Sequence, residues 1–406
     1  MPLTLLPMPE RLVLSGPRLA DGRTVDVRLN GGRIEAVGTP GSLAPRGAGG
    51  PGGSPVDLAG YLLLPSPAEP HAHHDTALTG AAPGPPPDSR DDLRRRITEA
   101  ALIQLSHGAT AQRTHIRVGD TRGLADLEAA LATGRALRGL AELTTVATPR
   151  LLTGRAGADN RAMLRDAAKM GAGALGGCPD LDPDPGGYLD ILLGAADEHG
   201  CPIDLHTEAE EPARLARLAS AAGACRSGVS LGPCTGLARM PASLAARCAD
   251  RLAAAGVTVV CLPQGGCGLG HRARGATPVR MLTAAGVAVA AGGGALRDAG
   301  NPVGRGDPLE AAFLLASRGE CEPLEAYAAV SGRARSALGL PEVRVEAGFP
   351  AELLAVRGDS VAGVLSQAYS RLVIHRGRIV ARTSAVREFC GSPAGGGLEL
   401  PRQATG

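Results

Sequence analysis

Apolar and polar positions repeat with two different periods along this chain. Near the N-terminus the runs are short and strand-like: Arg11-Leu12-Val13-Leu14, then residues 24–29, then residues 33–37. Asn30-Gly31-Gly32 separates the last two and supplies the positive φ that a tight hairpin turn needs. The same texture returns late in the chain, in residues 351–356, 371–375 and 378–381, with Arg376-Gly377 as the turn. Between these ends, helix-period stretches such as residues 93–106 and 125–138 alternate with short apolar runs at 111–118, 143–148, 172–175, 203–205, 229–231, 257–262 and 287–291. Counted with the strand that carries His71, these runs predict eight parallel strands joined by crossover helices.

The architecture expected is therefore α/β: a (β/α)8 TIM-type barrel plus a small β-sandwich domain built from both termini. Residues 10–60 and 345–385 form the composite β domain, 61–344 the barrel and 386–406 a flexible tail. Residues 40–55, rich in Gly and Pro, read as a loop. An open doubly wound sheet is the competing arrangement, but no G-x-G-x-x-G follows a first strand.

One stretch organises the middle region: Leu62-Leu63-Leu64-Pro65 leads through Glu69-Pro70 into His71-Ala72-His73-His74-Asp75. Residues two apart in a strand point to the same side, so His71 and His73 converge while His74 faces away as a packing or supporting residue. Two converging neutral imidazoles are half of a tetrahedral Zn²⁺ or Fe²⁺ site. The stretch falls where a barrel presents its C-terminal, functional rim.

Composition narrows the partners. A 406-residue chain with 44% apolar and 20% charged residues can bury a large core. A net charge of +2, 2% aromatic residues and no Trp argue against nucleic acid or a membrane surface as partner. Nine cysteines without C-x-x-C pairs point to buried thiols and a cytoplasmic location. The first residues carry no basic-then-apolar leader, and no apolar run reaches the length of a membrane span. Gln264–Gly270 has spaced glycines but no following Lys-Ser or Lys-Thr, so it reads as a rim loop rather than a phosphate cradle. His107, His199 and His375 fall in helical or hairpin contexts, whereas His115 ends a strand on the rim side and is placed at the pocket.

Laid out strand by strand, the chain resembles the metal-dependent amidohydrolases, and within them the cytosine deaminase-like group. The likeness spans roughly residues 10–385. It is carried by the His71-Ala72-His73 stretch, by Gly108–His115, by Ile203-Asp204-Leu205-His206-Thr207-Glu208, and by Leu296-Arg297-Asp298-Ala299-Gly300-Asn301-Pro302. The resemblance implies one divalent metal, Zn or Fe, held by His71, His73, His206 and an eighth-strand Asp. It also implies a proton-shuttling Glu, a sixth-strand His that helps deprotonate the attacking water, and a Gln that reads the ring edge. The chemistry implied is hydrolytic loss of ammonia from a small nitrogen heterocycle.

The chain departs from that pattern where proton transfer is done. Ala209 stands at the shuttle position, Pro233 at the sixth-strand His, Gly294 at the metal Asp and Arg150 at the ring-reading Gln. Ala, Pro and Gly side chains neither bind metal nor carry a proton. Glu208, Glu210, Cys234 and Asp298 are the neighbouring groups that could stand in. Two readings follow. In the first, the protein is a degenerate, non-catalytic member of the group, working as a homo-oligomer or beside an active relative. In the second, it is an active hydrolase of a small nitrogen heterocycle or cyclic amide, with a three-imidazole metal, Glu208 as base, and Arg150 and His115 contacting substrate.

Overall fold

A computed structural model describes residues 11–43, 54–80, 89–119, 122–265 and 275–386. The expected tail from 387 onward, most of the 40–55 loop and residues 266–270 of the rim loop lie outside the described residues.

Five strands precede the barrel: β1 (Arg11–Ser15), β2 (Asp26–Asn30), β3 (Arg33–Gly38), β4 (Ser54–Asp57) and β5 (Tyr61–Pro65). Eight parallel strands then pair in strict chain order: β6 (Ala68–Ala72), β7 (Ala111–Val118), β8 (Glu142–Pro149), β9 (Ala174–Gly177), β10 (Ile203–Thr207), β11 (Val229–Pro233), β12 (Thr258–Cys261) and β13 (Ala288–Ala291). Helices cross over between them, as the alternating periods predict. Three more strands follow: β14 (Leu353–Arg357), β15 (Arg371–His375) and β16 (Arg378–Thr383). No described helix is long and apolar enough to cross a membrane.

The terminal strands make two four-stranded sheets, ordered β3-β2-β1-β4 and β16-β15-β14-β5. Their hairpins turn where expected, with φ of 55° and 78° at Gly31 and Gly32 and of 49° and 74° at Arg376 and Gly377. Leu12, Leu14, Val27, Leu29, Leu63, Leu353, Leu372 and Ile374 form the shared core of this sandwich.

One element sits differently from the sequence expectation. The run at 61–65 does not enter the barrel; β5 pairs antiparallel with β14, with Leu63 opposite Ala355. Its uniformly apolar character has a physical cause. Leu63 faces the sandwich core, while Leu62 and Leu64 face the barrel's outer core with Leu354 and Val356. A strand buried on both faces has no polar alternation to show. The chain breaks at Ser66-Pro67, where Ser66 Oγ donates to Gly108 O at 2.6 Å, and only then does β6 begin.

Barrel closure is economical in backbone hydrogen bonds. Strands β6 and β13 share no ladder; an isolated bridge links Ala72 to Gly294, three residues past the end of β13, with Gly294 N donating to His71 O at 3.1 Å. The buried Glu69 carboxyl group reinforces this seam, accepting from His71 N at 3.0 Å and from Gly293 N at 2.8 Å. A Cβ at Gly292 would collide with Glu69 Oε1, so the glycine run is what admits the carboxyl group.

Barrel and sandwich are joined by a buried ion pair. Arg371, opening β15, gives Nη2 to Asp307 Oδ2 at 2.6 Å, and its Nη1 to Asp307 Oδ1 at 2.8 Å and to His107 O at 2.7 Å. Asp307 also caps the helix Pro308–Ser317 through Leu309 N. Burial alone would raise the Asp307 carboxyl, but the Arg371 guanidinium outweighs it and holds the group below the usual carboxylate range. Asp307→Asn therefore lowers stability at pH 7 by about 3–5 kcal/mol, because it strands a buried guanidinium. A carboxylate whose folded pKa is depressed stabilises above its unfolded value near ~4 and loses that contribution as pH falls toward the folded value. Urea midpoints of wild type and variant thus converge on acidification below about pH 4. A gap unchanged at acid pH would contradict the assignment.

Candidate metal centre

Three barrel strands deliver four imidazoles to one point. His71 lies on β6, and His73 follows one residue past its end; His115 comes from β7 and His206 from β10. All four are buried, with the most exposed, His73, at 7%. Ring centroids lie 4.2 Å apart for His71–His115, 4.3 Å for His71–His206, 4.5 Å for His115–His206 and 4.9 Å for His73–His206. One nitrogen from each ring falls within 4.8 Å of the others. The period of two explains the next layer down: Glu69, Arg113 and Asp204 each precede an inward histidine by two residues and are themselves buried.

The nitrogens suit a metal better than they suit each other. His73 Nε2 and His206 Nε2 face one another at 2.9 Å. Both ring nitrogens of His71, His206 Nδ1 and His115 Nε2 have no hydrogen-bond partner. Buried polar atoms are normally paired, and a converging set of orphaned ring nitrogens is the arrangement that a divalent cation satisfies. Burial, followed by the neighbouring His115, pushes His71 down to about 4. Burial first, then the surrounding rings, also holds His73 and His206 well below the usual histidine range. These three rings are neutral near pH 7, which is the ligating form.

Asp204 is the carboxylate beneath the rings. Its Oδ2 accepts from Arg113 Nη1 at 3.1 Å, and its Oδ1 lies 3.5 Å from His115 Nε2 and 3.8 Å from His71 Nδ1. Burial would raise its carboxyl, but the His115 ring, then His71 and Arg113, hold it well below the usual range. Neither Asp204 nor Arg113 stands out in the sequence as a functional residue. The signal that finds them is their position two residues before His206 and His115 on inward-facing strands.

The other sequence candidates fall into place around this centre. His74 turns away, its Nε2 2.9 Å from Gln104 Oε1. His115, expected at the pocket, joins the imidazole group itself. Arg150 is exposed immediately after β8. Glu208 follows the end of β10, and its carboxylate accepts a hydrogen bond from Thr235 Oγ1. Glu210 pairs with Arg239. Cys234 is fully buried, and burial raises its thiol far above neutrality, so it offers no thiolate. Asp298 is 2% exposed and committed to its own loop, accepting from Thr76 Oγ1 at 2.8 Å and from Gly300 N at 2.7 Å.

Purified protein is expected to carry about one equivalent of Zn or Fe per chain, lost together with thermal stability in a His71→Ala, His73→Ala double variant. Elemental analysis beside thermal unfolding measures both. A metal-free wild type no more stable than the double variant would refute the site.

Comparison with known proteins agrees with this geometry. The profile of the amidohydrolase family matches residues 176–381. A pterin deaminase from Rhizobium rhizogenes is 31% identical over 315 residues, which cover 73% of this chain and 71% of that protein. The crystal structure of N-isopropylammelide isopropylaminohydrolase from Burkholderia multivorans superposes with a TM-score of 0.80 at 27% identity, covering 93% of this chain and all of the other. A 5-methylcytosine deaminase from Klebsiella pneumoniae, at 22% identity, shares the fold, with a TM-score of 0.80 over 95% of this chain and all of its own. With a barrel of the right topology and histidines converging at its rim, the chain belongs to the amidohydrolase family.

Proposed function

We propose that this protein holds a divalent metal, Zn or Fe, through His71, His73 and His206, and binds a small nitrogen heterocycle without the machinery for standard deamination. The observation that carries this reading is the rim beside the imidazoles. Gly294 donates its backbone N–H to His71 O, Pro233 pairs in register with Thr207, and Ala209 N donates to Thr207 Oγ1. These are the positions where the group the chain resembles carries its metal Asp, its sixth-strand His and its proton shuttle. Here none of the three has a side chain that can take or give a proton.

When bound, the metal would activate a water molecule as a nucleophile. The chain's own residues would hold the ion and exclude bulk water, since all the histidines of the cluster are buried. What is missing is a positioned acid and base, each worth roughly 10²–10⁴-fold in rate. Arg150 and the rim loops are left to contact an anionic or carbonyl-bearing ring. Free thiols at all seven described cysteines support a reducing, cytoplasmic setting. The working form we propose is a homo-oligomer or a complex with an active relative, with neither nucleic acid nor membrane as partner.

A second reading has its own support. The pterin deaminase relative is an enzyme by name, and Glu208 sits two residues after His206. In that reading Glu208 leaves Thr235 and serves as base in an active three-imidazole hydrolase.

Both readings meet in one assay. Full-length protein loaded with Zn²⁺ or Fe²⁺ is offered a panel of pyrimidines, pterins and cyclic amides while ammonia release and thermal midpoint are followed. The expected result is a ligand-dependent rise in midpoint with no ammonia. Turnover abolished by His71→Ala would overturn the non-catalytic reading, and its further loss in Glu208→Ala would establish the second.

A further inference from the structure

The layer beneath the imidazoles holds a group that the proposed function leaves unused. Asp204 is 0% exposed, and its two oxygens have different surroundings. Oδ2 is held by Arg113 Nη1 at 3.1 Å, whereas Oδ1 has no hydrogen-bond partner at all. That orphaned oxygen lies 3.8 Å from His71 Nδ1 and 3.5 Å from His115 Nε2. Neither nitrogen of His71 has another partner.

We propose that Asp204, gripped by Arg113, is a positioning residue that keeps His71 as the Nδ1–H tautomer and so leaves His71 Nε2 as the nitrogen available to a metal. The assignment rests on the metal reading of the cluster for its consequence, but not for its geometry. A neutral imidazole has one N–H, and the nitrogen facing a carboxylate is the one that keeps it. The opposite nitrogen then carries the lone pair. Carboxylates placed behind ligating histidines do this in metal sites generally, and their loss costs about 10–100-fold in metal affinity.

Arg113 makes the arrangement directional. In Asp204→Asn, the guanidinium donor takes the amide oxygen, so the amide NH₂ turns toward His71 Nδ1. A donor then faces the ring, His71 shifts its proton to Nε2, and the ligating lone pair is lost. The shape and volume of the side chain scarcely change, so packing alone predicts no such shift.

Two measurements on the full chain test this. Nitrogen chemical shifts of ¹⁵N-histidine-labelled, metal-free protein report the tautomer, with the His71 signal identified by its disappearance in His71→Gln. Chelator competition gives the affinity for Zn²⁺. The expected results are the Nδ1–H tautomer in wild type, the Nε2–H tautomer in Asp204→Asn, and a Zn²⁺ affinity about 10–100-fold weaker in the variant. An Nε2–H tautomer in wild type overturns the proposal even if the variant does not fold. So does an unchanged Zn²⁺ affinity in a folded variant. A wild type that takes up no Zn²⁺ yet shows the tautomer switch supports the orientation of His71 by Asp204 and refutes the metal reading instead.

Discussion

Closure of the barrel between its first and last strands is the constraint on which the site depends. With no ladder between β6 and β13, the seam rests on the Ala72–Gly294 bridge and on one buried carboxyl group, that of Glu69. Glu69 accepts from the backbone N–H of His71 itself, so the group that closes the barrel also sets the backbone from which the first metal-binding candidate projects. Burial pushes the Glu69 carboxyl up to about 8, against the pull of the two N–H donors. The glycines at 292 and 293 follow from the same contact, because side chains there would occupy the space of the carboxyl group.

Above that seam the barrel interior is built in two layers. Four imidazoles form the upper one, and Glu69, Arg113 and Asp204 the lower, each placed by the alternation of a parallel strand. In the upper layer His71, His73 and His206 are held neutral by burial and suited to a cation. The carboxyl groups lie below it, or are tied to the rim at Glu208 and Asp298. In the proposed reading metal binding and proton transfer are separated: the imidazoles can serve the first, while Ala209, Pro233 and Gly294 leave the second without a side chain at the positions the resemblance assigns to it. That separation gives the non-catalytic reading its physical content.

The sequence reveals the fold well because its cues are local and repeated. Seven of the eight barrel strands, β7 to β13, fall within a few residues of the apolar runs, β6 is marked by His71 rather than by such a run, and the Gly31 and Gly377 hairpins turn where positive φ is needed. The placement of β5 is not legible, since a strand buried on both faces looks the same whether its neighbours are barrel helices or a second sheet. His71, His73 and His206 are legible from spacing and resemblance. The membership of His115 in the cluster is only half visible: it sits inside β7, three residues before its end and not at the strand end expected, and an inward strand histidine can line a pocket without converging on its neighbours. Asp204 and Arg113 are hidden for a further reason: their pairing joins residues 91 positions apart, and nothing in either local stretch announces the other.

In the proposed reading the metal centre is built from imidazoles with no carboxylate among its ligands. X-ray absorption spectroscopy of the Zn²⁺-loaded full-length protein tests it most directly. The expected spectrum has a first shell fitted by at least three histidine nitrogens, with the outer-shell scattering of imidazole rings and no carboxylate. A first shell that requires a carboxylate oxygen would contradict it, since Glu208, Asp298 or Asp204 would then have moved onto the metal and restored the anionic ligand that Gly294 cannot supply.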